Sequence, residues 1–410
     1  MKVSAGKRVL MLIENGSFLM DSRVRPEAKA LIHAGYKVSV ICQADSKWVW
    51  KENIENVTVY TYPAPLPGKG FLGYLFEYGY SLAATFLLSL IVCLIDGFDI
   101  IHAANPPDTA LIVAAFYKLV GVRFVFDHHD LAPEMYWERF SGRGNRLVYK
   151  ILLTMERYSC RLADIIIATN ESYKSIEMER HAIPQERIAI VRNGPLLEKF
   201  RLSTPDPVLR AKAKVILAYV GVMAPQDGVD YLLRALHLLR CELKKDDFYC
   251  VIIGKGSTLD DLKELAKKLD LEKHVWFTGY IPDADMLRYL STADICIDPD
   301  PSNPFNDRCT MIKMMEYMAM GKPIVAFDLP EHRVTAQNGA LYARPNDELE
   351  FARQIAVLMD DPERRERMGK EGRKRIESEL AWSYQAENLL EAYKALSSSS
   401  KWPKPIWRRT

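Results

Sequence analysis

The segment SNPFNDRCTMIKMMEYMAMGKPIV, residues 302–325, concentrates the side chains best suited to holding a diphosphate. A loop runs into a helix predicted to start at Thr310, a good N-cap residue, and to stop at Gly321-Lys322-Pro323. The N–H groups at such a helix start, Met311 among them, lack intrahelical acceptors and attract anions. Lys313 and Glu316 are three apart and share a face: the lysine can neutralise phosphate charge and the glutamate can accept from ribose hydroxyls. The plain alternative is a surface ion pair worth tenths of a kcal/mol. Met314, Met315, Met318 and Ala319 supply the apolar side that any core helix needs.

Other candidates follow strand ends. Asp127-His128-His129-Asp130 comes directly after RFVFD, where a histidine can reach a sugar hydroxyl or a leaving phosphate, or simply pair with nearby carbonyls and Asp127. Asn15-Gly16-Ser17 follows the first strand, and glycine there permits close backbone approach, although a turn explains it equally well. Asp21, Arg23 and Arg25 cluster at the next helix start, suited either to lining an acceptor or to solvation. Gly254-Lys255-Gly256 follows VIIG and precedes a helix, a weak signal alone.

These positions need a scaffold, and the sequence supplies one. In the first half RVLMLI, YKVSVIC, FDIIHA, RFVFD, ADIIIAT and ERIAIVRNG read as strands, separated by helices ending at Gly35, over 109–120 and over 147–162. The second half restarts the pattern with VILAYVG, FYCVIIG, HVWFTG and DICIDP, with helices over 228–240 and 258–269. Such alternation means βαβ units and mostly parallel sheets, whose ligands sit at the carboxyl ends of strands. The fold class is therefore α/β, two Rossmann-like domains facing each other across a cleft. The expected boundaries are 1–196, a proline-rich charged linker 197–213, a second domain 214–382, a closing helix 383–397 and a tail 398–410.

Composition narrows the function. The 410 residues exceed one core, and 49% apolar with 26% charged residues is ordinary for a globular protein. A net charge of +2 argues against a nucleic-acid partner. Seven cysteines, odd in number and never spaced as CxxC, read as reduced thiols rather than a disulfide frame or zinc site. Arg8–Ile13 has no cleavage-type site after it, so no signal peptide is expected. Residues 78–95 carry no charge, a borderline spanning length. Their place before the strand FDIIHA, with Glu77 and Asp96 at the ends, favours a buried or interfacial helix. The tail SSSSKWPKPIWRRT combines cations with Trp402 and Trp407, a pairing suited to an anionic bilayer surface.

GKPIVAFD after the EYMA helix, with DHHDLAPE and the GKG loop, resembles the retaining glycosyltransferases of the GT-B fold, family four, over nearly the whole chain. The resemblance implies transfer of a sugar from an NDP-sugar donor, UDP- or GDP-linked, to a glycan or polyprenyl-linked acceptor, as in surface polysaccharide assembly. No cofactor is expected, the lack of a DxD-type motif at a strand end fits handling of the diphosphate without metal, and the tail points to a cytoplasmic protein peripheral to the inner face of the membrane. In the family's terms His129 and Asp130 form the catalytic strand-end motif. Gly16, Gly221, Gly254 and Gly256 lie by the donor, and Tyr280 and Ile281 meet the base. Arg308, Thr310, Met311, Lys313 and Glu316 hold the diphosphate and ribose, while Asp21 and Arg23 lie on the acceptor side. No covalent nucleophile stands out, and the Asp-Pro-Asp of ICIDPDPS reads as a turn.

The chain also departs from the family. Arg308 stands where most members have a glutamate, eight positions before Glu316, and Val222 and Asp227 replace an arginine and a lysine of the first second-domain loop. With these cations lost, Arg308 and Lys313 are expected to compensate. The competing readings are a non-catalytic scaffold of the same fold and a nucleotide-sugar epimerase; a phosphorylase-like enzyme would need a far longer chain.

Overall fold

A computed structural model describes residues 6–14, 16–45, 48–65, 70–140 and 142–398. Asn15, part of the TYPAPLPGKGFLG loop and the basic tail lie outside the described residues. The chain forms two compact units, one of Met1–Tyr136, Asn145–Arg192 and Gln385–Thr410, the other of Trp137–Gly144 and Asn193–Tyr384.

The first unit contains β1 (Arg8–Leu12), β2 (Lys37–Gln43), β3 (Lys51–Ile54), β4 (Val57–Tyr62), β5 (Ile100–Ala104), β6 (Arg123–His128), β7 (Ile165–Ala168) and β8 (Ile188–Ile190). They form one sheet in the order β3-β4-β2-β1-β5-β6-β7-β8. Every pair is parallel except β3–β4. That antiparallel hairpin was missed in the sequence. It turns at Glu55-Asn56, both with positive φ (54° and 67°), the geometry that matches strand twist in a two-residue turn. The helices are α1 (Val24–His33), α2 (Gly70–Ile95), α3 (Ala110–Lys118), α4 (Ala132–Arg139), α5 (Arg146–Leu162) and α6 (Glu171–His181), with α4 running on into the second unit.

The second unit carries α7 (Pro207–Arg210), β9 (Val215–Val220), α8 (Val229–Cys241), β10 (Phe248–Ile253), α9 (Leu259–Lys268), β11 (Val275–Gly279), α10 (Asp283–Thr292) and β12 (Ile295–Asp298). It continues with α11 (Ile312–Ala319), β13 (Ile324–Phe327), α12 (Pro330–Ala336), β14 (Ala340–Ala343), α13 (Glu348–Asp360) and α14 (Pro362–Arg375). Its parallel sheet has the order β11-β10-β9-β12-β13-β14. Alternate strand residues point to opposite faces, so Leu217, Ile252 and Ile297 enter one core cluster and Ile216, Val251 and Cys296 the other. Both faces are covered, which is why these strands are continuous apolar runs.

One boundary differs from expectation. The 197–213 segment is not a free linker, because Phe200 and Leu209 are buried in the second unit's core. The last helix, α15 (Trp382–Ser398), rejoins the first unit from Gln385 onward. There the Tyr393 hydroxyl meets His102 Nδ1 at 2.8 Å, and Gln385 Oε1 accepts from Arg192 N at 2.9 Å. All seven cysteines are free thiols, five of them buried.

The loops after β9 and β10 touch backbone to backbone. Gly221 N donates to Ile253 O (3.0 Å) and Met223 N to Lys255 O (3.1 Å). A Cβ on Gly254 would fall 1.9 Å from Gly221 O, and one on Gly256 2.1 Å from Met223 O. No side-chain rotation relieves a clash with backbone, so Gly256→Ala should destabilise the second unit by about 2 kcal/mol or more, read as a lowered thermal midpoint. An unchanged midpoint would mean the loops are not packed this way.

Candidate active site

At the carboxyl ends of β1, β5 and β6 the first unit has a pocket of about 320 Å³. Gly16, Ser17, Met20, Asp21, Asn105, His129 and Asp130 line it, with Ile13, Glu14, Ala104 and Pro106. Asn105 shapes this wall: its Oδ1 accepts from His129 N (2.6 Å) and Asp130 N (3.1 Å), and its Nδ2 donates to Asp130 O (2.8 Å) and Asp108 Oδ1 (3.1 Å). Sequence reasoning missed Asn105, although its place directly after FDIIHAA marks a strand end.

His129 Nε2 donates to Asp127 Oδ2 at 2.8 Å, and its other ring nitrogen has no partner among the described residues. Burial alone would raise the Asp127 carboxyl, but Arg23 and His129 beside it hold it well below the usual carboxylate range. Asp130 is raised by burial against the opposing pull of His129, His128 and Arg23. His128 points elsewhere: fully buried, it pairs with Glu177 at 3.0 Å and Glu156 at 3.7 Å. Burial disfavours its charge, yet those two carboxylates raise it to about 10.

Arg23 is not an acceptor-lining cation. It is buried, with Nη2 at 2.6 Å and Nε at 3.0 Å from Asp127 and Nε at 3.1 Å from Glu27. Asp21 Oδ1 caps α1, accepting from Arg23 N (2.9 Å) and Val24 N (2.7 Å) while lining the pocket. Arg25 pairs with Glu55 at 2.9 Å on the surface. A side chain at Gly16 would meet open space, so folding itself does not demand a glycine there.

In the second unit, Gly221, Gly254 and Gly256 form the welded loops described above, and Tyr280, 65% exposed, follows β11. Lys255 Nζ sits 5.3 Å from the Tyr280 ring centre. Ile281 and Met311 pack on the core as half-buried residues. Arg308 ends the short turn Asn306–Arg308.

The predicted helix start needs correction. Met311 occupies the N-cap position without a side-chain cap, and the Thr310 hydroxyl instead donates to Glu331 Oε2 at 3.3 Å. Nor does Lys313 face a ligand. Its Nζ lies 2.6 Å from Asp300 Oδ2, 3.5 Å from Asp298 Oδ1 and 5.3 Å from the Tyr219 ring centre. The Asp-Pro-Asp expected to be a plain turn thus supplies two buried carboxylates. Asp227 also turns inward, accepting from Ala224 N at 3.0 Å; burial raises its carboxyl and Lys313 opposes that rise. The first loop is therefore less acidic toward a ligand than its composition suggests.

Glu316 is different. Its carboxylate has no hydrogen-bond partner among the described residues, and burial pushes it up to about 7, with Lys199 opposing and Asp283 adding to the rise. Those neighbours place it near the segment that follows Tyr280.

Metal-type ligand sets occur twice among the described residues, Glu27/His102/Asp127 and Asp298/Asp300/His332. Each lies against a side-chain cation, Arg23 or Lys313.

Two stability predictions follow from these charges. Lys313→Met leaves buried carboxylates unmatched, so it should cost about 3–5 kcal/mol at neutral pH and less in acid, where they take up protons. Chemical denaturation at two pH values checks this; a pH-independent loss would contradict it. For Glu316 the folded value lies above the unfolded one, so its contribution is present below about pH 4.5 and lost as pH rises through about 7. Glu316→Gln should therefore stabilise the chain by about 1–2 kcal/mol at pH 8 relative to pH 4.5, read from paired thermal melts.

Known proteins match this arrangement. Residues 203–375 fit the model of glycosyl transferases group 1 and residues 20–194 that of the glycosyl transferase 4-like domain. Glycogen synthase from Mycobacterium tuberculosis is 25% identical over 315 residues, 75% of this chain and 71% of that one. Sucrose-phosphate synthase from Thermosynechococcus elongatus superposes with a TM-score of 0.80 at 19% identity, over 96% of this chain and all of that one. Anabaena HepE, solved with UDP and glucose, gives 0.71 at 15% identity, over 95% and 100%. With two parallel-sheet units and both family models spanning most of its length, the chain belongs to the group 1 glycosyltransferases of the GT-B fold.

Proposed function

We propose that the protein is a retaining, metal-independent glycosyltransferase that moves a sugar from a UDP- or GDP-linked donor to a glycan or polyprenyl-linked acceptor in surface polysaccharide assembly, at the inner face of the membrane. The observation carrying this reading is Glu316, a half-buried carboxylate with no partner among the described residues, raised to about 7 and placed near the segment after Tyr280. Such a group accepts hydrogen bonds from a ribose diol, while the exposed Tyr280 ring offers a stacking surface for the base. The welded glycine loops bring main chain close to a diphosphate. Lys255 and Arg308 supply cations there, in place of those absent at Val222 and Asp227.

In this reading the amides at the start of α11 and these cations stabilise the departing diphosphate, the main electrostatic contribution to the rate. His129, oriented by Asp127, presents its remaining ring nitrogen to the sugar. The acceptor hydroxyl approaches on the face from which the diphosphate departs, its oxygen bonding to the anomeric carbon as the phosphate–sugar bond breaks and its proton passing to the leaving diphosphate, which gives retention without a protein nucleophile. UDP, with which HepE was solved, is the first donor nucleotide to test.

Calorimetric titration with UDP and GDP tests the reading. Wild type should bind one of them, with affinity rising between about pH 6 and pH 8 as Glu316 ionises. Glu316→Ala should abolish binding and Glu316→Gln should flatten the pH dependence. Lys255→Ala should weaken binding about three- to tenfold. His129→Ala should leave nucleotide affinity unchanged while cutting turnover by about a hundredfold or more. If neither UDP, GDP nor ADP binds, the non-catalytic scaffold is the better description.

A further inference from the structure

Helix α2 is built inside out for a water-soluble protein. Its inward face carries Ser81, Thr85 and Ser89, at most 2% exposed, against β2 and β4 and beside Tyr62 and Tyr117. Its outward face is apolar, with Leu87 at 61% and Leu94 at 87% exposure. A solvated helix shows the reverse polarity. The apolar surface continues onto α3, which packs against α2 through Phe86 and Phe116 and leaves Leu119 at 84% exposure.

Helix α5 borders that surface, packing on α3. Its exposed side pairs cations with apolar side chains: Arg146 with Leu147, Lys150 with Ile151, Arg157 with Tyr158. The helix has one acidic residue, Glu156, which is buried and bound to Arg180 at 2.9 Å and His181 at 2.6 Å. No acidic residue of α5 itself therefore offsets the cations on its outer face. A contiguous apolar patch rimmed by unopposed cations is the complement of an anionic bilayer, with hydrocarbon below and phosphate at the rim.

We infer that the α2–α3–α5 face of the first unit docks on an anionic membrane surface, with α2 lying in the interface rather than spanning. Spanning would strip α2 from β2 and β4 and expose its serines and threonine to lipid. This assignment deepens the reading of a membrane-borne acceptor, yet it stands on the surface alone and is tested without any sugar substrate.

The test is flotation of the purified full chain with vesicles of phosphatidylcholine, with or without about one third phosphatidylglycerol. Wild type should float with the anionic vesicles, and about tenfold less with neutral ones or in high salt. Leu87→Gln/Leu94→Gln/Leu119→Gln, altering exposed positions only, should abolish flotation while keeping the wild-type melting temperature. Arg146→Glu/Lys150→Glu/Arg157→Glu should lose the preference for anionic lipid. Flotation unchanged in both variants would overturn the proposal and assign attachment to another segment. Absence of flotation, with a wild-type dimer that the leucine variant dissociates, would identify the face as a contact between copies. Nucleotide titration of the same samples separates either failure from a failure of the catalytic reading.

Discussion

A buried cation wedged between carboxylates lies beneath the loop end of each sheet, and the local geometry of both candidate half-sites depends on it. In the first unit Arg23, at the start of α1, grips Asp127 at the end of β6, and Asp127 in turn orients His129. In the second, Lys313 in the first turn of α11 grips Asp298 at the end of β12 and Asp300 just beyond it. A desolvated charge is tolerated only with its partner in place, so each pair locks a helix start to a strand end. His102 extends the first network to Tyr393 on the returning helix.

The contrast between Lys313 and Glu316 shows what burial does to a pair of charges on one helix. Lys313 is enclosed by carboxylates and keeps its charge, whereas Glu316 has neither a hydrogen-bond partner among the described residues nor full solvation. A carboxylate in that state is poorly served by the protein alone and better served by hydroxyl donors from outside.

Much of this architecture is legible in the amino-acid order because it depends on short-range rules. Buried parallel strands are apolar runs, such as VILAYV and FYCVII, and the helices between them carry apolar stripes. What escapes is decided by partners distant in sequence. The edge hairpin over Lys51–Tyr62 mixes polar and apolar residues because one strand is largely solvated. Thr310 has the chemistry of a cap, but the chain turns one residue later and its hydroxyl meets Glu331 instead. Lys313 looks like a ligand for phosphate until Asp298 and Asp300 are brought under it. Asn105 gives no motif at all, and its role rests on three hydrogen bonds to a wall formed 24–25 residues later, with a fourth to Asp108.

The contact between the loops after β9 and β10 has a thermodynamic consequence. Because Gly254 and Gly256 let main chain rest on main chain, the amides at this candidate half-site are ordered by the fold itself. Little conformational entropy remains to be surrendered there when an anion arrives. The ordering cost is met during folding, so recognition at this edge of the sheet resembles insertion into a preset mould rather than the gathering of a loose loop.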